Sequence, residues 1–235
     1  ELRRELFIDG LFPIYMVEGS LGIQELDLSI FQAIWLKQNT RIPTAEEVEA
    51  LRQFLINGGS VLVTEDDFLN NGNLADNAFL SQLGMYFSAA DYLPDVTQAW
   101  ANPEHPVTDR VGQLRVDGCL PIMFEENPGP IIKQLVGQNL IYAGDYPVGW
   151  TGLVGQGALF VFGDDALFSD ALFNEADNAL FMRQLFMYLK FNRRIKPDIP
   201  TPTYTPTSGV TRVPTDTPVD TQTPTPSSTG TATAT

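Results

Sequence analysis

The sequence predicts an α/β domain, with a mostly parallel sheet covered by helices on both faces, followed by an extended tail. Strand-like apolar runs alternate with helical patterns through residues 1–195, the pattern of a sheet with crossover helices. The chain is 43% hydrophobic and 11% aromatic, enough to build a substantial core. The composition then breaks at Ile195-Lys196-Pro197, beyond which Thr and Pro dominate. The domain is therefore expected over 1–195 and an extended stalk or linker over 196–235.

The elements follow in chain order. Glu1–Ile8 reads as the end of a helix, Leu11–Val17 as a short strand and Phe31–Leu36 as a buried one. Thr44 with Glu47 three residues on forms a capping box. The helix it opens carries Val48, Leu51, Phe54 and Leu55 at helical spacing and stops at Asn57-Gly58-Gly59. Ser60–Thr64 is the next strand and Leu74–Leu83 a helix. From Tyr86 to Gly155 the pattern is less regular, with short strand-like pieces at Gln113–Val116, Ile131–Leu135 and Leu140–Ala143. Gly155-Gln156-Gly157 turns into the strand Ala158–Phe162. Helices over Asp165–Phe173 and Ala176–Phe191 close the domain.

Two segments carry a family resemblance. PTAEEVEALRQFLINGGSVLVTEDD, residues 43–67, resembles the helix, Gly-Gly, buried-strand unit of class I glutamine amidotransferase-like domains. GQGALFVFGDDALFSDALFNEADNALFMRQLFMYL, residues 155–189, resembles their closing strand-helix unit, and His105-Pro106-Val107-Thr108 matches a turn between the two. The resemblance spans Glu1 to Phe191. It implies a flavodoxin-like sheet and a first strand that lies upstream of Glu1 or is supplied otherwise.

Catalytic members of that family hold a Cys on a strained elbow at a strand end, paired with a His. The matching position here reads Glu65-Asp66-Asp67, so the resemblance implies a pseudoenzyme. The single Cys, Cys119, and the single His, His105, lie in the irregular middle. They read as a small buried side chain and a turn residue. With one Cys no internal disulfide forms.

The carboxylates are the stronger candidates. Open α/β sheets place sites at the carboxyl ends of strands, where Glu65, Asp66 and Asp67 follow one strand and Asp164 and Asp165 another. Converging there, they would suit Ca²⁺ or Mg²⁺ or another ligand. The competing reading has them capping the helices that follow. Asn178, beside Asp177 at the start of the last helix, is expected to reach back to the Asp164 loop. Gly152–Gly157 precedes a strand instead of opening a helix, so it is no phosphate loop. Trp35 reads as core, and Trp100 and Trp150 as loop residues able to pack or to stack on sugars.

The net charge of −15 and pI near 4.3 make nucleic acid and anionic lipid poor partners. No apolar run approaches the roughly 20 residues that cross a bilayer. The tail cannot bury enough surface to offset its chain entropy. Its Thr beside Pro suits O-glycosylation, with Thr201, Thr203, Thr205, Thr207, Thr215, Thr217, Thr223 and Thr225 as candidate sites. No Asn-X-Ser/Thr sequon occurs. These readings describe a non-catalytic extracellular or cell-surface module with a structural, assembly or interaction role. Its expected partners are other copies of itself, cell-surface components and glycans on the tail, with no resident cofactor. The alternative is a small-ligand or carbohydrate-binding domain with a cation at the acidic rim. A hydrolase using Cys119 or the carboxylates is third.

Overall fold

The computed structural model describes residues 22–37, 41–65, 72–125 and 136–191. The expected helix end at Glu1–Ile8, the strands Leu11–Val17 and Ile131–Leu135, the domain boundary and the whole tail lie outside the described residues.

Nine strands and three α-helices are described. The strands are β1 (Ala33–Lys37), β2 (Ser60–Thr64), β3 (Met85–Phe87), β4 (Gln98–Ala101), β5 (Gln113–Arg115), β6 (Ile122–Phe124), β7 (Val136–Ala143), β8 (Tyr146–Val154) and β9 (Gly157–Phe162). The helices are α1 (Ala45–Ile56), α2 (Gly72–Leu80) and α3 (Asn178–Phe191). Seven strands form one sheet in the order β1-β2-β9-β8-β7-β4-β5, and β3 and β6 pair separately.

This corrects the expected fold class. Only β1–β2 and β2–β9 run parallel; β9–β8, β8–β7, β7–β4 and β4–β5 are antiparallel. The domain is a strand-rich, mixed, curled sheet, not a mostly parallel sheet with helices on both faces. The cause lies in the connections. Parallel neighbours need a long crossover, whereas antiparallel strands close through short turns. Gly144-Asp145 joins β7 to β8, and Gly155-Gln156 joins β8 to β9. Each glycine takes a positive φ, 60° and 62°, which such tight turns favour. The strand β8 had no counterpart in the expected elements. The helix expected over Asp165–Phe173 is only a 3-10 turn at Ala166–Phe168.

The parallel strands are built from the runs that were legible. α1 opens on Thr44, whose Oγ1 accepts from Glu47 N–H while the Glu47 carboxylate accepts from Thr44 N–H. It ends at Gly58, whose φ of 92° is left-handed and cheap only without a Cβ. β2 and β9 are buried at every position. Val61, Val63, Leu159 and Val161 pack in one core cluster with Leu51, Phe54 and Leu55 of α1 and Phe79 of α2. Leu62, Phe160 and Phe162 join a second cluster with Phe181, Leu185 and Leu189 of α3. The two sets alternate along β2 and β9, as a pleated strand requires.

Candidate functional site

The carboxyl ends of the three parallel strands meet, because Lys37 pairs with Thr64 and Thr64 with Phe162. Trp35 and Lys37 lie two residues apart on β1, so they share a face. The Trp35 indole N–H donates to Thr64 Oγ1 at 2.9 Å, and the Thr64 hydroxyl donates to Asp165 Oδ1 at 3.2 Å. Lys37 Nζ lies 3.1 Å from Asp165 Oδ2, its side chain 45% exposed against 7% for Asp165. Asp165 is thus a buried carboxylate that meets the Lys37 cation and the Thr64 hydroxyl.

The neighbouring acids are placed differently. Asp164 accepts from Leu167 N–H at 3.3 Å and from Asp117 N–H at 3.2 Å, one oxygen each. It holds the 3-10 turn and ties the loop before Cys119 to the end of β9. Glu65 is fully buried, and its backbone N–H donates to Phe162 O. Asp66 and Asp67 lie outside the described residues. The rim therefore brings Glu65, Asp164 and Asp165 to adjacent strand ends, with oxygens of both aspartates already engaged. Among the described residues no group of three His, Cys, Asp or Glu is arranged to hold a metal ion. A divalent cation on Asp165 would have to displace Lys37 and Thr64. Lys37 was missed by sequence reasoning, although a lysine closing the apolar run AIWLK was a visible signal.

Cys119 and His105 are each built into the fold. Cys119 is fully buried in a core cluster, and its backbone bridges Leu93. His105 caps the 3-10 turn Pro106–Thr108, with Nδ1 accepting from Val107 N–H at 3.1 Å. Its ring packs on Phe160 and Tyr188, 6.4 and 5.2 Å between centroids. Burial lowers its pKa below the ordinary histidine range.

The start of α3 departs from expectation. Asn178 grips the edge strand β5, not the Asp164 loop: its Oδ1 accepts from Arg115 N–H and its Nδ2 donates to Arg115 O, each at 2.9 Å. Asp177 Oδ2 accepts from Gly112 and Gln113 N–H, and Asp177 N–H donates to Gln113 O. The hydrogen-bonding groups that β5 turns away from β4 are thus closed by two residues. A sheet edge left open would invite pairing with another chain.

In this half of the sheet Trp100 stands exposed on a strand whose neighbouring Ala99 is buried. Trp100 pairs with Gln113 of β5 and Tyr142 of β7, and Tyr142 with Pro147 of β8. Directly opposed residues share a face, so Gln113, Trp100, Tyr142 and Pro147 lie side by side across four strands, with a register shift in the β7–β8 ladder between Ile141 and Tyr142. Gln98 and Arg115 form the next row along. Trp100 is 55% exposed and stands on a strand, not in the loop expected for it. Trp150, also expected in a loop, lies on β8, 4% exposed, with its ring against Phe124.

This geometry defines a mixed α/β domain with Lys37 paired to Asp165 at its strand-end rim and Trp100 exposed on its antiparallel half. The chain belongs to the family described as "Domain of unknown function (DUF4350)", whose model matches residues 32–186. This corrects the amidotransferase resemblance, and with it the pseudoenzyme reading that depended on it. No curated protein matches the sequence. Among solved structures, the chain is similar to cytoplasmic protein STM1381 from Salmonella typhimurium LT2, at 15% identity and a TM-score of 0.58, covering 80% of this chain and 85% of that one. It is similar to the mmIFT52 N-terminal domain, at 15% identity and a TM-score of 0.61, covering 80% and 88%. A ThuA-like protein from Bacteroides uniformis matches at 18% identity and a TM-score of 0.53, covering 80% of each chain. At these identities the likeness is one of fold.

Proposed function

We propose that this chain is a non-catalytic interaction module displayed outside the cell, a folded head carried on a Thr/Pro stalk. One observation carries the reading: four of the side chains offered for chemistry, Cys119, His105, Asp164 and Asp165, are engaged in holding the fold. The Cys119 thiol is buried in the core, where a thiol is inert. The His105 nitrogen that could act as a base accepts a backbone N–H. The Asp164 oxygens accept two more, and Asp165 is neutralised by Lys37. The stalk and the extracellular location rest on the composition of residues 196–235.

Two measurements test the reading. Native protein from its source should be recovered outside the cell, with hexose-type mass additions on tail peptides containing Thr201–Thr225. Folded protein should resist iodoacetamide at neutral pH and take up one label once denatured. A cytosolic chain with an unmodified tail overturns the display. Rapid alkylation of the folded protein overturns the inert-thiol basis for calling it non-catalytic.

A further inference from the structure

We infer that the start of α3 is a strained catch, in which Asp177 holds β5 against backbone strain at Arg110 and Ala176. The inference goes beyond the interaction-module reading and does not depend on it. Arg110 and Ala176 are the non-glycine residues with a positive φ among the described residues, at 61° and 45°, and both flank this junction. Val111 N–H donates to Thr108 O at 3.0 Å, closing a turn whose central residues are Asp109, at φ −58° and ψ 124°, and Arg110. That is a type II turn, whose second central position favours glycine. Asn178 N–H donates to Glu175 O at 3.1 Å, closing a turn with Ala176 at its first central position. A positive φ there favours Gly, Asn or Asp. Neither Arg nor Ala has the short polar side chain that eases the left-handed region for Asn and Asp.

Each strained turn is held by the segment that carries the other. Asp177 Oδ2 accepts from Gly112 N–H at 2.8 Å and from Gln113 N–H at 3.2 Å, and Asp177 N–H donates to Gln113 O at 3.0 Å. Gln184 of α3 donates to Asp109 O at 2.7 Å. Strain of this kind persists only where the surroundings enforce it, so these bonds and the strain oppose each other. Burial sets which part moves. Val111 and Leu114 are buried in the core, and Asn178, which grips Arg115 at 2.9 Å, is fully buried. These stay in place. Glu175 and Ala176 are exposed and Asp177 is half-buried. Turning that segment alone frees the Gly112 and Gln113 N–H groups at the sheet edge and lets both turns relax, with Asn178 as the fixed pin.

The test is amide hydrogen exchange on the full chain, followed by NMR and corrected for intrinsic rates. Gly112 and Gln113 should exchange at least tenfold faster than Arg115 and Val161, at a rate insensitive to low urea, the mark of a local opening. Ala176→Gly and Arg110→Gly should each slow Gly112 and Gln113 about threefold and leave Arg115 unchanged. The Arg110 ion pair with Asp109, 3.5 Å and exposed, contributes little to that balance. Ala176→Asn reaches the same backbone region without glycine's added chain freedom and should slow exchange as well. Asp177→Ala should quicken it at least tenfold at the same two amides. Unchanged circular dichroism and Val161 protection verify that each variant folds. Two results overturn the catch: one common, urea-dependent rate for Gly112, Gln113 and Arg115 in the wild type, or exchange at Gly112 and Gln113 that neither Ala176 variant slows.

Discussion

The two halves of the sheet solve opposite problems. β2 and β9 are buried along their whole length, because helices and core cover both faces. β4 reads exposed, buried, exposed, half-buried, because only one of its faces meets the core. In the parallel part Lys37 and Asp165 lie at strand ends and pair with each other. In the antiparallel part Gln98 and Trp100 flank the buried Ala99, and Gln113 and Arg115 flank the buried Leu114. Burial on both faces favours internal pairing; burial on one leaves side chains available to a partner.

The largest expected contrast sets two glycines against each other. A Cβ on Gly163, just after β9, would lie 1.8 Å from the Leu120 carbonyl oxygen, a backbone atom that cannot step aside. Gly163→Ala should lower stability by about 4 kcal/mol, among the largest single-residue effects. Gly144, at the β7–β8 turn, has nothing within 4 Å of such a Cβ and a φ of 60°. There Gly144→Ala meets only left-handed strain, about 1 kcal/mol. Urea midpoints at unchanged m-value measure both. Equal losses would erase the distinction between a close-packed parallel part and an open hairpin.

Next in size is the ion pair. Lys37→Met leaves the Asp165 carboxylate desolvated without its cation, and should cost about 2 kcal/mol. That is below the range for fully buried pairs, because Lys37 is 45% exposed and water reaches it. The further change Asp165→Asn should recover part of the loss, giving a measurable coupling in a double-mutant cycle. Strict additivity would show that the strand-end pair contributes nothing. On the other side of the sheet, Asn178→Ala strips both partners from the Arg115 backbone and should cost about 1–2 kcal/mol. Amide exchange at Arg115 should quicken at least tenfold while that of Val161 stays unchanged, localising the damage to the edge.

The same contrast governs what the sequence made legible. Ser60–Thr64 and the capping box at Thr44 were readable because a doubly buried strand is a continuous apolar run and a cap is local chemistry. β8 was not, because Tyr146–Val154 contains Pro147, Gly149 and Gly152, residues that depress strand propensity. Here the glycines make room. A Cβ on Gly152 would meet the Trp150 ring at 2.2 Å. Missing β8 turned an antiparallel return into an apparent crossover, and the sheet direction followed it. The acidic rim was half legible: register brought Glu65, Asp164 and Asp165 together, but the reading omitted Lys37, which pairs with Asp165. The Asn178 clamp was hidden because it joins residues 63 positions apart.

The smallest effect separates the two regions by pH. In the α1 cap, Glu47 is held at about 2, chiefly by the Arg41 guanidinium and also by Thr44 N–H. A carboxylate with a lowered folded pKa stabilises the protein above its unfolded value. That contribution fades as pH falls from about 4.5 toward 2. His105 titrates earlier. Burial disfavours its cation, so the unfolded chain takes up the proton first, and stability declines as pH falls below about 6.5. Protonating Nδ1 also removes the acceptor for Val107 N–H, a cap worth about 1 kcal/mol. Protection of the Val107 amide, corrected for the intrinsic exchange rate, should therefore fall at pH values below the ordinary histidine range while the α1 amides remain protected, and protection in α1 should fall only as pH approaches 2. His105→Asn keeps a capping side chain without a titrating group and should abolish the first step alone. If both segments loosen together in the wild type, they belong to one cooperative unit and the division between the halves does not extend to their stability.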